Sequence, residues 1–230
     1  MIYIIGAGGV GSWLTPSLAM LIGADKVAVV DADKLESKNL NRQLFDNTAI
    51  GQFKADALAQ RYGCESIPKW FTFGMTALNE QDVLMGAVDN HATRAEILQS
   101  CDNSGCMAII GANEVYSSEA YVYIPEWKDT QLDPRHYYPE ILLDKSDDPR
   151  RASMGCTGEA QTQTPQLVTA NFMAAALMQH LFITWVLDYH KFDKAAREHL
   201  PHKLVSNLSK LSSIKTGVPA PIEKDNNHAR

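Results

Sequence analysis

The feature that most constrains this chain is a glycine-rich turn lying between an apolar run and a helical pattern, a few residues from the first methionine. Ile2–Ile5 ends directly in Gly6-Ala-Gly8-Gly9-Val-Gly11-Ser12, a helical pattern follows, and Val27–Val30 forms a second apolar run ending at Asp31. Two short apolar runs around a helical pattern read as a β-α-β unit, and that context gives the glycine spacing its meaning. Glycines at such a turn let the backbone approach a phosphate. The helix that follows offers N–H groups and the positive end of its dipole. Asp31 stands twenty residues after Gly11, at the end of the second strand, where a carboxylate accepts hydrogen bonds from ribose hydroxyls. Gly6, Gly8, Gly9, Gly11 and Asp31 together point to an adenosine-type nucleotide.

Further along, short apolar runs at residues 70–73, 84–88 and 107–110 alternate with helical patterns at 51–62 and 92–101. Strands alternating with helices imply a parallel, doubly wound sheet. Residues 120–124 read as one more strand with no helix before it, which places it antiparallel at the sheet edge. The expected class is therefore α/β: a Rossmann-like, doubly wound, mostly parallel sheet with an antiparallel edge extension. With 230 residues, 45% hydrophobic and 21% charged, the chain has the size and composition of one globular domain. We place that domain at 1–211, including a loop at 126–164 rich in Pro, Asp, Arg and Tyr and an apolar helix at 165–188, with a mobile tail at 212–230. Long loops inside compact domains are often functional.

Composition narrows the partners. A net charge of −6 argues against a surface built for nucleic acid. The four cysteines, Cys64, Cys101, Cys106 and Cys156, contain no CxxC pair, so neither a disulfide framework nor a structural zinc site is expected. The first residues lack the basic region of a signal peptide, and the apolar stretch 167–187 contains Asn171, Gln179 and His180, so it reads as a buried helix rather than a membrane span. A cytoplasmic setting is the expectation.

The segment after Asp31 bears on the choice between a dinucleotide and a triphosphate. Asp33, Asn39, Arg42 and Gln43 lie in a polar stretch before the next helix, and Lys54 stands in that helix's first turn. A pyrophosphate-holding hydride-transfer enzyme has little need of these cations. Charge developing on a leaving pyrophosphate does need them. Asp89-Asn90 follows the fourth strand, at the sheet end where such folds bind ligands, and a carboxylate beside phosphates is a natural Mg2+ ligand. His91 reads as the start of a helix.

These motifs, GxGGxGS, Asp31-x-Asp33, Asn39-Leu-Asn-Arg42-Gln43, Gly51-Gln-x-Lys54 and Val88-Asp89-Asn90 with Arg94 downstream, resemble the adenylation domain shared by ThiF, MoeB, HesA and ubiquitin-activating enzymes. The resemblance runs from Ile2 to about Ile124. It implies that Asp31 holds the ribose, Arg42 and Lys54 the phosphates with help from Asn39 and Gln43, and Asp89 the Mg2+ of Mg-ATP. Asp33 and Asn90 fall in the same motifs and are assigned to the nucleotide site. It also implies activation of the C-terminal carboxylate of a ubiquitin-like or sulfur-carrier protein or peptide, and a homodimer or an activating-enzyme-like partner. Two features depart from MoeB and ThiF: the paired CxxC zinc ligands are missing, and the N-terminal helix that supplies an arginine to a partner's site is not matched. The region around Cys156 resembles short ThiF-like proteins of bacterial mobile elements.

Met154-Gly-Cys156-Thr157-Gly158 places a thiol between glycines in the polar loop, where the resemblance allows an acyl acceptor and chemistry equally allows a cysteine of no consequence. Cys64, Cys101 and Cys106 read as core or incidental. Two further readings compete with protein-carboxylate activation: a family member adenylating a small or tRNA-borne carboxylate, as cyclic threonylcarbamoyladenosine enzymes do, and a catalytically silent activating-enzyme-like subunit.

Overall fold

The computed structural model describes residues 1–114, 116–143 and 168–207, together with the backbone of 212–217. Cys156 and most of the 126–164 loop lie outside the described residues. The elements run β1 (Ile2–Ile5), α1 (Gly11–Ile22), β2 (Val27–Val30), α2 (Lys54–Tyr62), β3 (Glu65–Ile67), β4 (Val83–Gly86), α3 (His91–Ser104), β5 (Met107–Asn113) and β6 (Ser117–Tyr123). There follow α4 (Pro134–Tyr137), α5 (Glu140–Leu143), α6 (Val168–Phe182), α7 (Lys194–Arg197), β7 (Lys203–Asn207) and β8 (Ser212–Gly217).

They form an eight-stranded sheet in the order β3-β2-β1-β4-β5-β6-β7-β8. The first five strands in that order are parallel, and β6, β7 and β8 add antiparallel. β2 and β4 are buried throughout, which is why their sequences are continuous apolar runs rather than alternating ones. The order reverses at β1, which has β2 on one side and β4 on the other. Ligand crevices in open α/β sheets form at this kind of reversal, beyond the carboxyl ends of the strands.

One face of the sheet packs against α1 and α6 through Leu14, Leu18, Leu177, Met178 and Leu181. The other packs against α3 and α5 through Ile97, Leu98, Cys101 and Ile141. α6 approaches β5 so closely that a Cβ on Gly111 would collide with the sulfur of Met178. Val168–Leu187 is long and apolar enough by composition to cross a membrane, but Ala174, Leu177, Met178, Leu181 and Phe182 are buried within the core. Away from the crevice, Arg135 of α4 bridges Asp102 and Asp133, both at 2.8 Å, and Lys203 of β7 reaches Glu119 of β6 at 2.9 Å.

Two expectations shift. The aromatic run at 70–73 is not a strand. β3 instead lies at Glu65–Ile67, where Pro68 ends it, and as the outermost strand beside β2 it is only partly buried, so it carries no apolar run of its own. Ser212–Gly217, within the segment assigned to the tail, pairs antiparallel with β7 as β8.

Candidate nucleotide-binding site

A cleft of about 410 Å³ lies over the carboxyl ends of β1, β2, β4 and β5. The predicted residues line it, except Gly11, which lies behind the turn, and Cys156, which falls outside the described residues. The turn is built as its sequence requires. Gly6 has φ +92°, and a Cβ there would lie 2.7 Å from the carbonyl oxygen of Ala87. A Cβ on Gly11 would overlap the carbonyl oxygen of Gly6. The first turn of a helix has N–H groups with no partner inside the helix, and Gly8, Gly9 and Val10, at the start of α1, line the cleft.

Asp31 anchors this turn to the next loop. One carboxylate oxygen accepts the Ala7 N–H at 2.6 Å and the other the Asp33 N–H at 2.7 Å. Burial pushes its pKa up, opposed by the Lys54 ammonium and by these two N–H groups. Each carboxylate oxygen has two acceptor positions, so acceptor capacity remains for the ribose contact expected of Asp31.

The cations are placed differently from one another. Lys54 is the first residue of α2; its backbone N–H donates to the Asp33 carbonyl at 2.8 Å and its ammonium pairs with the Asp33 carboxylate at 2.8 Å. Its side chain is 8% exposed and that of Asp33 50% exposed, so the pair runs from the protein interior to the cleft surface. Arg42 is half-buried and, among the described residues, its guanidinium is held at 3.4 Å to the Lys38 carbonyl and the Asn41 side chain. Its own carbonyl is flanked by the Trp13 indole N–H and the Asn171 amide, each at 3.5 Å.

Three amides complete the expected set. The Asn39 oxygen accepts the Glu36 N–H at 3.0 Å and closes a tight turn. Asn90 caps α3, its oxygen accepting the Thr93 N–H at 2.7 Å, and His91 opens that helix as expected. Gln43 is buried beside Gly8, and its Oε1 has no partner among the described residues. Asp89 is exposed at the cleft edge and makes no hydrogen bond or ion pair among the described residues. No group of three or more His, Cys, Asp or Glu suited to hold a metal alone occurs among the described residues. Asp89 therefore fits a Mg2+ that takes most of its ligands from phosphates and water.

Sequence reading missed part of the lining. Trp70 and Phe71, next to β3, present an aromatic surface in the half of the cleft near Asp31; Pro68 was the signal that this stretch had left the sheet. Asn113 of β5 and Asn171 of α6 also line the cleft, and the signal for Asn171 was a carboxamide inside an otherwise apolar helix. Cys101 and Cys106 are buried in the core with their sulfurs 3.5 Å apart. Six basic and four acidic side chains line the cleft, a surplus of positive charge in a chain whose net charge is −6. That contrast favours a polyanionic ligand.

Fold and cleft together define an α/β nucleotide-binding domain with a phosphate-binding glycine turn. The family model for ThiF matches residues 1–220, and the chain belongs to the ThiF family. It is similar to the Caenorhabditis elegans SUMO-activating enzyme subunit uba-2, 33% identical over 111 residues, covering 44% of this chain and 19% of that protein. It is also similar to the tRNA threonylcarbamoyladenosine dehydratase of Haemophilus influenzae, 28% identical over 145 residues, covering 58% and 55% respectively. The solved structure of E. coli MccB with ATP superposes with a TM-score of 0.63 at 16% identity, over 96% of this chain and 64% of that one, which shows a shared fold. The chain thus spans about a fifth of the SUMO-activating subunit and just over half of the dehydratase.

Proposed function

We infer that this protein uses Mg-ATP to activate a carboxylate as an acyl-adenylate, and that the carboxylate is the C-terminus of a ubiquitin-like protein, sulfur carrier or peptide. The observation that carries the reading is the concentration of cations around the glycine turn, with Lys54 buried at its head and Arg42 beside it. A substrate carboxylate oxygen attacks the α-phosphorus, the bond to the bridging oxygen of the β-phosphate breaks, and pyrophosphate leaves with that electron pair. Lys54 and Arg42 offset the charge that accumulates on it. Asp89 would hold the Mg2+, which when bound neutralises part of the same charge. Relatives named for SUMO activation, and solved MccB structures with ATP and with the peptide MccA, support this assignment.

Mg-ATP at a hundredfold above its dissociation constant is expected to stabilise the fold by about 2.7 kcal/mol, which thermal melting reads directly. NAD+ is expected to leave the melting temperature where it was. A shift with NAD+ and none with Mg-ATP would overturn the nucleotide assignment. The alternative of a tRNA-borne carboxylate draws on the dehydratase relative. ATP–pyrophosphate exchange, run with tRNA and with proteins ending in Gly-Gly, separates the two.

Cys156 belongs to the proposal as the acceptor for a subsequent transfer. Adenylation requires no thiol, so Cys156→Ala is expected to keep pyrophosphate exchange while losing any reducible adduct between enzyme and acyl partner. Such an adduct persisting in the alanine variant would remove Cys156 from the reaction.

A further inference from the structure

The cleft lining contains two buried polar atoms with no hydrogen-bond partner among the described residues. Asn171 of α6 is 0% exposed and lines the cleft, and its Oδ1 is unpaired among the described residues. Asn113, at the end of β5, lines the same cleft with its Nδ2 buried and equally unpaired among them. Leaving one such group dry and unsatisfied is costly, and native proteins rarely do so without a reason.

The fold links the two through β6. Asn113 lies opposite Ser118 across the β5–β6 ladder, and the Ser118 hydroxyl donates to the Ala170 carbonyl at 2.8 Å, one residue before Asn171. Asn171 in turn lies against the phosphate-binding turn, since a Cβ on Gly9 would fall 2.5–2.6 Å from all three heavy atoms of its amide group. The two carboxamides therefore leave one donor and one acceptor unpaired among the described residues in the lining of the cleft that holds the glycine turn. A donor and an acceptor held together complement an amide, whose carbonyl takes the one and whose N–H supplies the other.

We propose that Asn113 and Asn171 form an amide-reading subsite for the acyl substrate, with Asn113 Nδ2 donating to the carbonyl of the peptide group next to the reacting carboxylate and Asn171 Oδ1 accepting its N–H. The proposal deepens the adenylation reading and rests on it for the identity of the neighbouring carboxylate. It makes the two asparagines specificity residues: they favour a carboxylate preceded by a peptide bond over one that is not.

N-acetylglycine and its ester counterpart O-acetylglycolate, which differ by one N–H, are suitable probes. Ligand-observed NMR with a non-hydrolysable ATP analogue bound measures their affinities, and ATP–pyrophosphate exchange measures their reactivity. The wild-type protein is expected to favour N-acetylglycine about 10-fold or more, because the ester leaves Asn171 Oδ1 buried and unpaired. Asn171→Ala is expected to abolish that preference. Asn113→Ala is expected to weaken both probes together while leaving ATP affinity unchanged. Equal affinities in the wild type, or a preference that survives Asn171→Ala, would overturn the subsite. A binding preference that follows this pattern without any exchange would retain the subsite and remove the adenylation reading.

Discussion

Replacing Lys54 by methionine, or Arg42 by alanine, is expected to lower ATP–pyrophosphate exchange about 100-fold or more, the scale on which single groups stabilising transition-state charge act. Methionine keeps the packing of the Lys54 stem, whose side chain is 8% exposed, and removes only the ammonium. Asp33, half exposed, loses its partner but stays in contact with water, so little stability should be lost. The effect should fall on the rate of exchange, with melting temperature and circular dichroism close to wild type. Arg42 gives a cleaner test, because among the described residues its guanidinium makes two long hydrogen bonds, both at 3.4 Å. Wild-type exchange in both variants would show that these cations do not face the leaving pyrophosphate.

The second large effect is structural. Gly11→Ala places a methyl group inside the radius of the Gly6 carbonyl oxygen, and that atom belongs to a turn whose neighbours are fixed as well. Ala7 is tied to Asp31, and Ser12 and Leu14 donate their N–H groups to Gly8 and Val10. With no flexible side chain to move aside, overpacking of this kind is expected to cost about 3 kcal/mol and to displace the start of α1. Urea denaturation should show the loss of stability, and isothermal titration the loss of Mg-ATP binding. A variant with normal stability and normal ATP affinity would mean that the turn relaxes in a way its hydrogen bonds give no sign of.

The parts of this fold that follow from local chemistry could be read from the sequence. The glycine turn, the buried β2 and β4, the start of α3 at His91 and the antiparallel turn-back into β6 each leave a periodic or residue-specific mark within a short window. β3 left none, because a strand with one neighbour and a partly wet face has no need of an apolar run, while the aromatic stretch after Pro68 resembled one and in fact lines the cleft. β8 was hidden for a related reason: apart from Ile214 and Gly217 its residues are polar, and its pairing with β7 is decided by a partner strand. Within the cleft, the site residues singled out by motif from Gly6 to Asn90, Gly11 apart, are in the lining. Asn113 and Asn171 could not be assigned to one site from sequence, since only the packing of α6 across β5 and β6 puts both in the lining of one cleft.

The contact between Asp33 and Lys54 gives the cleft an internal counter-ion. A phosphate arriving at Lys54 exchanges one anionic partner for another. The affinity gained from this lysine is therefore the difference between two ion pairs, and it is smaller than the strength of either pair alone. In the proposed reaction the same carboxylate would take the place of departing pyrophosphate, so the buried ammonium would not wait uncompensated, a state that would cost several kcal/mol. Such a site would hand a charge from one partner to the next, keeping both the loaded and the empty cleft within the narrow stability margin of a folded domain.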